Sequence, residues 1–283
     1  IVIKVREQVK PISIQKLKEG TLSNDEADLL AVEEPLEIRI GYGPEKERIQ
    51  KSISVTMRTP GHDHELAVGF LFTEGIISSF SDVAGIRHCE DVGKDETGNI
   101  IRIELKPSVH EDMVKLQRHF YTTSSCGVCG KSSLEAISNE CQPIQSELKV
   151  SNELISAAPE KLRSAQTVFA HTGGIHATGT FDSKGELIML REDVGRHNAF
   201  DKVVGACLMK GILPLSHHFI LVSGRVSFEL VQKALMSGVP VMVAVGAPSS
   251  LAVKLAQEFN LTLLGFVKPD QFNVYCHAGR VGV

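Results

Sequence analysis

In the last third of the chain, apolar and polar positions alternate in blocks. HHFILVSGR, VPVMVAVGAP and LTLLGFVKPD each hold a continuous apolar run, and between them SFELVQKALMSG and SSLAVKLAQEFN carry apolar residues at helical spacing. The pattern predicts strand, helix, strand, helix, strand. Unbroken apolar strands are expected where helices cover both faces of a parallel sheet, and right-handed crossovers make this a βαβαβ unit. The strand ends SGR (223–225), GAPSS (246–250) and VKPD (267–270) then emerge along one edge. Ligands bind there in open α/β sheets, and two of these ends open helices whose free N–H groups favour phosphate.

Upstream the pattern is more mixed. IVIKV, LEIRI and RIQKSISVTM read as strands of a β-rich portion over residues 1–60, with the acidic NDEADLLAVEE as a solvated turn. TPGHDHELAVGFLFTEGII reads as a helix entered at Thr59 and Pro60 and closed by Gly75. NIIRIEL (99–105) is strand-like, KPSVHEDMVKLQRHF helical at best, and Ser132 or Ser133 suits the cap of a short helix carrying Leu134 and Ile137. Ser151 suits a helix cap before NELISAAPEKLRSAQ, with Pro159 marking a kink or break. TGGIHATGTFD and ELIMLRE flank the turn signal DSKG and predict a hairpin. RHNAFDKVVGACLMKG then places Phe200, Val203, Val204, Cys207 and Leu208 on one helical face, ending at Gly211. The expected organisation is an α/β fold. Residues 1–60 pack on a main domain, 61–283, that holds a loop at about 122–131 and the C-terminal unit.

Composition narrows the function classes. The 283 residues are 42% hydrophobic, enough for a substantial core, and the formal charge of −4 recruits neither nucleic acid nor an anionic membrane. No apolar run reaches the roughly 18 residues of a membrane span, so a cytoplasmic protein is expected. Cys89, Cys141, Cys207 and Cys276 lack regular spacing and read as reduced core thiols.

The remaining pair, Cys126 and Cys129, lies in TTSSCGVCGKSS, a run too small and polar for a core. A CxxC pair serves as half a zinc site, a dithiol switch, a sulfur carrier or inert structure. Zinc needs two more ligands, for which His62 and His64 or His171 and His176 are the candidates, without a second CxxC or an HxxxH. The nucleobase-deaminase signature is incomplete as well: Asp63 and His64 follow His62 where x-Glu belongs, and Ser125 replaces the proline. A redox switch usually sits at a helix start. A mobile glycine-bearing loop suits a carrier, in which thiolate attack on a sulfur donor leaves a persulfide. The residue chemistry leaves carrier and switch as rivals.

RTPGHDHELAVGFLFTEGII, SSCGVCGK, HTGGIHATG, REDVGRHNAFDKVVG, SGRVSFELVQKA and APSSLAVKLAQEFNLTLLGFVKPDQFNVY, in this order, resemble the FdhD family of sulfur carriers or sulfurtransferases required for active formate dehydrogenase. The similarity runs from about residue 35 to the end. It implies a cytidine-deaminase-like mixed sheet between helices. It also implies loading of persulfide sulfur by a cysteine desulfurase, and delivery to the molybdenum cofactor, bis-molybdopterin guanine dinucleotide, for formate dehydrogenase. Cys126 matches the family's leading persulfide cysteine and Cys129 its partner. The family's cofactor-binding stretch falls on Phe266, Val267, Lys268, Pro269, Asp270 and Gln271, at the edge that the strand pattern picks out. Lys268 stands where Arg would serve equally, which keeps a cation for phosphate. A homodimer is implied, and no resident metal is expected.

Other residues carry two readings each. Ser223, Gly224 and Arg225 suit an anionic ligand. Arg191, Glu192, Asp193, Arg196, His197 and Asn198 suit either an Asp193 or Asn198 helix cap with surface ion pairs, or a pocket wall. His171, Thr172, Gly173 and Gly174 suit a tight turn or a close backbone approach to a ligand. His62 and His64 suit support of a helix start. Competing functions are a zinc deaminase-like hydrolase and a non-catalytic chaperone that binds the cofactor.

Overall fold

The computed structural model describes residues 8–89, 97–109 and 141–282. The readings of IVIKV as a strand and of 132–137 as a helix, and both CxxC cysteines, lie outside these residues. Among them, β1 (Val9–Ile14) and β2 (Glu26–Ala31) form an antiparallel ribbon, from Val9 opposite Ala31 to Ile14 opposite Glu26. This corrects the solvated turn: EADLLA is a strand. Both faces of the ribbon are largely exposed, so no inside–outside alternation marks it in the sequence.

The next strands, β3 (Glu34–Tyr42), β4 (Ile49–Arg58), β5 (Val83–His88) and β6 (Ile100–Leu105), form a mixed sheet in the order β4-β3-β6-β5. Strands from both sides of residue 60 therefore share one sheet. Helix α1 (Asp63–Thr73) covers it, burying Leu66, Ala67, Val68 and Leu71 against Leu36, Ile38, Ile40, Ile101 and Ile103.

Helix α2 (Asn152–Ala165) is capped by the Ser151 hydroxyl, which accepts from the Leu154 N–H. It runs through Pro159 without a break, so of the two sequence readings, kink or break, the break is corrected. Proline removes the bond to the Ile155 carbonyl, but burial of Ile155, Ala158 and Leu162 on the sheet outweighs it. After α3 (Thr167–Thr172) come β7 (His176–Phe181) and β8 (Leu187–Asp193), the predicted hairpin, then α4 (Arg196–Met209).

The C-terminal unit is as the block pattern implied: β9 (Phe219–Val222), α5 (Phe228–Met236), β10 (Val241–Ala244), α6 (Ser250–Glu258) and β11 (Thr262–Gly265). An unforeseen edge strand, β12 (Asn273–Cys276), completes a mixed sheet in the order β8-β7-β9-β10-β11-β12, parallel only through β9, β10 and β11. Its three parallel strands are almost entirely apolar because both faces are covered. Ile220, Val222, Met242 and Leu263 face α4, α5 and α6, whereas Phe219, Leu221, Val243 and Leu264 face α2. Cys141, Cys207 and Cys276 are buried and unbridged, and burial pushes the Cys207 thiol up to about 11, which keeps it protonated and inert.

Candidate functional site at the strand edge

Three strand ends are joined into one row. Beyond β9, the Ser223 N–H donates to the Ala177 carbonyl and the Ser223 Oγ accepts from the Ala177 N–H, both at 2.9 Å, which fixes the turn to the start of β7. The Gly246 N–H donates to the Gly224 carbonyl at 3.1 Å, and the Phe266 N–H to the Gly246 carbonyl at 3.2 Å. A Cβ on Gly246 would lie 2.9 Å from the Arg225 nitrogen and the Gly224 carbonyl oxygen, so only glycine lets these backbones approach.

Phe266 takes φ +53°, a left-handed backbone for a non-glycine residue, and leaves its side chain exposed at the edge. Such a conformation costs on the order of 1 kcal/mol and tends to occur at functional positions. Its neighbour Val267 is buried and donates its N–H to the Ala244 carbonyl, so it anchors the stretch and presents nothing to a ligand. Lys268, Pro269, Asp270 and Gln271 are exposed on a turn closed by the Lys268 N–H on the Gln271 carbonyl, 2.9 Å. Arg225 is exposed and Ser223 half-buried. The structure thus brings Ser223, Arg225, Phe266 and the 268–271 turn to one edge, and only Val267 of these predicted residues turns inward. Gly246 opens the GAPSS strand end that the sequence reading places at this edge, but its close backbone approach is not legible there, because a glycine at a strand end looks like any turn.

In the polar block at 191–198, neither Asp193 nor Asn198 caps α4; Glu192 accepts from the Val168 and Phe169 N–H groups at the start of α3, and Arg191 pairs with Glu65. Asp193 is fully buried: Oδ1 accepts from the Gly195 N–H at 2.8 Å and Asn198 Nδ2 at 3.2 Å. Its Oδ2 accepts from the Thr59 N–H at 3.1 Å and lies 2.7 Å from Lys202 Nζ. The α4 N-cap is Gly195, with no side-chain cap. Asn198 Nδ2 also donates to the Met57 carbonyl, so this motif locks α4 to the segment that enters α1. His197 Nε2 lies 3.0 Å from the Ser227 Oγ at the start of α5; burial and the Arg196 charge lower its pKa to about 4, so the ring is neutral near pH 7. Gly173, at φ +66°, closes α3 with its N–H on the Phe169 carbonyl, so the HTGG segment forms a turn.

At the start of α1, His62 is the left-handed N-cap residue, with Nδ1 3.0 Å from Glu65 Oε2. Beside it is an open polar cleft of about 770 Å³ that includes Glu34, Arg58, His62, His64 and His88, and none of its lining comes from the strand edge. Among the described residues, no group of three or more His, Cys, Asp or Glu is placed to hold a metal ion. Desolvation would raise the Glu65 pKa, but hydrogen bonds from Arg191 and His62 outweigh it and hold the carboxyl at about 2. A carboxyl depressed in the fold contributes stability above its unfolded value near 4.5 and loses it as pH falls towards 2. Urea midpoints measured from pH 5 to pH 2.5 should therefore fall, and less so for Glu65→Gln; parallel curves would refute the pairing.

Helices covering both faces of a mixed sheet, with its strand ends sewn into a glycine-bearing polar row, define an α/β protein with an exposed strand edge. The chain belongs to the FdhD/NarQ family, whose model matches residues 31–282. It is 49% identical over 259 residues to the sulfur carrier protein FdhD of Mycolicibacterium paratuberculosis, covering 90% of this chain and 92% of that one. It is 40% identical over 274 residues to the sulfur carrier protein FdhD of Saccharolobus solfataricus, covering 97% and 98%. A crystal structure described as that of a formate dehydrogenase accessory protein from Desulfotalea psychrophila shares the fold, with a TM-score of 0.72 and 20% identity over 97% of this chain and all of that one. No helix among the described residues is long and apolar enough to cross a membrane.

Proposed function

We propose that this chain is a sulfur carrier for formate dehydrogenase maturation. It accepts sulfur from a cysteine desulfurase and passes it to the molybdenum cofactor, bis-molybdopterin guanine dinucleotide, as substrate. The observation that carries the reading is the presence, in a chain whose relatives are named sulfur carriers, of a CxxC pair together with an exposed strand edge suited to a nucleotide. Three features of the edge fit that substrate: the exposed Phe266 ring for a base, the glycine-lined row at Gly246 for close approach, and the cations Arg225 and Lys268 for phosphates.

In the proposed chemistry, the Cys126 thiolate attacks the outer sulfur of the donor's persulfide. The new S–S bond leaves a persulfide on Cys126 and the donor departs as thiolate. Attack by the Cys129 thiolate on the Cys126 sulfur then expels hydrosulfide and leaves a Cys126–Cys129 disulfide. This chemistry needs reduced thiols at the start, so the cytoplasm is the compartment proposed. A homodimer is part of the same reading.

The test is to incubate the protein with a cysteine desulfurase and L-cysteine and weigh it intact. Wild type should gain the mass of added sulfur, and Cys126→Ala should lose that gain together with formate dehydrogenase activation. Undiminished loading and activation in Cys126→Ala would end the proposal.

A further inference from the structure

We propose that His64 and His88 bind a transition-metal ion of the copper, nickel or zinc type in the polar cleft beside α1. The proposal goes beyond the sulfur-carrier reading and uses none of its residues. His64 is exposed in the first turn of α1. His88 ends the edge strand β5, half-buried opposite Ile101 on the sheet face that α1 covers. The two rings have centroids 5.7 Å apart and planes inclined by 31°. Imidazole nitrogens bind such ions at about 2.0–2.1 Å, so two rings that share one ion have centroids no more than roughly 6 Å apart. The observed spacing leaves room for an ion between them.

The two nitrogens of His88 are unequal. Nε2 lies 3.6 Å from Asp63 Oδ2, and that carboxylate is fixed in turn by the Arg58 guanidinium, which donates to both of its oxygens at 3.1 Å. Nδ1 is buried and has no hydrogen-bond partner among the described residues. A buried polar atom without a partner is unusual in a folded protein and calls for an occupant. A carboxylate behind one ring nitrogen, with the other nitrogen uncommitted, is the arrangement that orients metal-binding histidines.

The surroundings select the ligand. Glu34, Asp63 and Glu65 line the cleft, and against them stand Arg58 and the Arg191 that pairs with Glu65, so carboxylates outnumber these cations by three to two. That balance favours a positively charged guest. Among cations, imidazole suits copper, nickel and zinc, whereas calcium and magnesium take oxygen ligands. His62 does not join the pair: its Nδ1 is held 3.0 Å from Glu65 Oε2, and residues two apart at a helix start do not face each other. With two protein ligands and no third His, Cys, Asp or Glu placed to help among the described residues, the remaining positions fall to water. The ion is therefore exchangeable. When bound, it ties the first turn of α1 to β5.

The experiment uses the full chain carrying Cys126→Ala and Cys129→Ala, so that the CxxC thiols do not compete for metal. Nickel(II) is titrated calorimetrically into this parent and into versions that add His64→Gln, His88→Gln or His62→Gln, with melting temperatures recorded with and without the ion. Nickel should bind the parent, weaken about tenfold or more in His64→Gln and in His88→Gln, and change by less than about twofold in His62→Gln. Saturating nickel should raise the melting temperature of the parent and lose that effect in His64→Gln. Electron spin-echo spectra of copper(II) on the parent should show two imidazoles, and one in His64→Gln. His64 is exposed, so its replacement should leave the metal-free melting temperature level and decides the matter even where His88→Gln folds poorly. No nickel binding to the parent, equal affinity in His64→Gln, or a loss in His62→Gln as large as in His64→Gln would each overturn the site. Sulfur loading of Cys126 is read by mass on the wild-type chain, so the carrier reading and this metal site fail independently.

Discussion

Gly205→Ala is expected to destabilise the fold by about 3 kcal/mol or more, read as a sharp fall in the urea midpoint of unfolding. In an ordinary helix interior the same change would stabilise by up to roughly 1 kcal/mol, because alanine is the better helix former. Here the sign inverts. A Cβ at Gly205 would fall 1.9 Å from the Glu65 carbonyl oxygen and 2.8 Å from the Gly69 nitrogen, and a Cβ at Gly69 would fall 1.9 Å from the Asp201 carbonyl oxygen. Helices α1 and α4 cross at this pair, backbone against backbone, and backbone cannot rotate out of the way as a side chain can. The crossing also brings the core on the four-stranded sheet next to that on the six-stranded sheet, since α4 contributes Val203 and Cys207 to one and Leu208 to the other. A midpoint equal to or above wild type would mean that the helices do not meet there.

Asp193→Ala is expected to cost about 3–5 kcal/mol, the range for removing one partner of a buried ion pair. Asp193 and Lys202 are both fully buried, and the substitution leaves the Lys202 ammonium with the Thr59 carbonyl as its remaining partner, at 2.8 Å. It also frees the N–H groups of Thr59 and Gly195. Adding Lys202→Met should recover part of the loss, because the stranded charge is then gone; the coupling follows from a double-mutant cycle on unfolding free energies. Strictly additive losses would show that the two side chains do not act as a pair.

Much of the fold was legible because burial is written into composition. Continuous apolar strands between amphipathic helices reported a two-sided sheet, and DSKG reported the hairpin. The ribbon of β1 and β2 was not legible, because neither face is buried and its residues resemble a polar turn. Pro159 misled for the opposite reason: a local breaking signal was outvoted by three buried side chains on the same helix. At the candidate site, the SGR and FVKPDQ segments were recognisable by position and by resemblance, whereas the left-handed backbone of Phe266 left no trace in a non-glycine residue. The block at 191–198 misled most. Its charged residues suited either a helix cap with surface ion pairs or a pocket wall, and only their partners on a distant segment, Thr59 and Met57, show a buried lock.

The order of strands and helices in the C-terminal βαβαβ unit, the alignment of its strand ends along one edge and the family resemblance follow from residue types and their spacing, since periodicity and turn chemistry are local. That α1 touches α4, that Arg191 pairs with Glu65 and that Asp193 accepts from the Thr59 N–H are set by contacts between segments more than a hundred residues apart. No local pattern encodes those distances, so the glycine crossing of α1 and α4 appears only once the chain is folded.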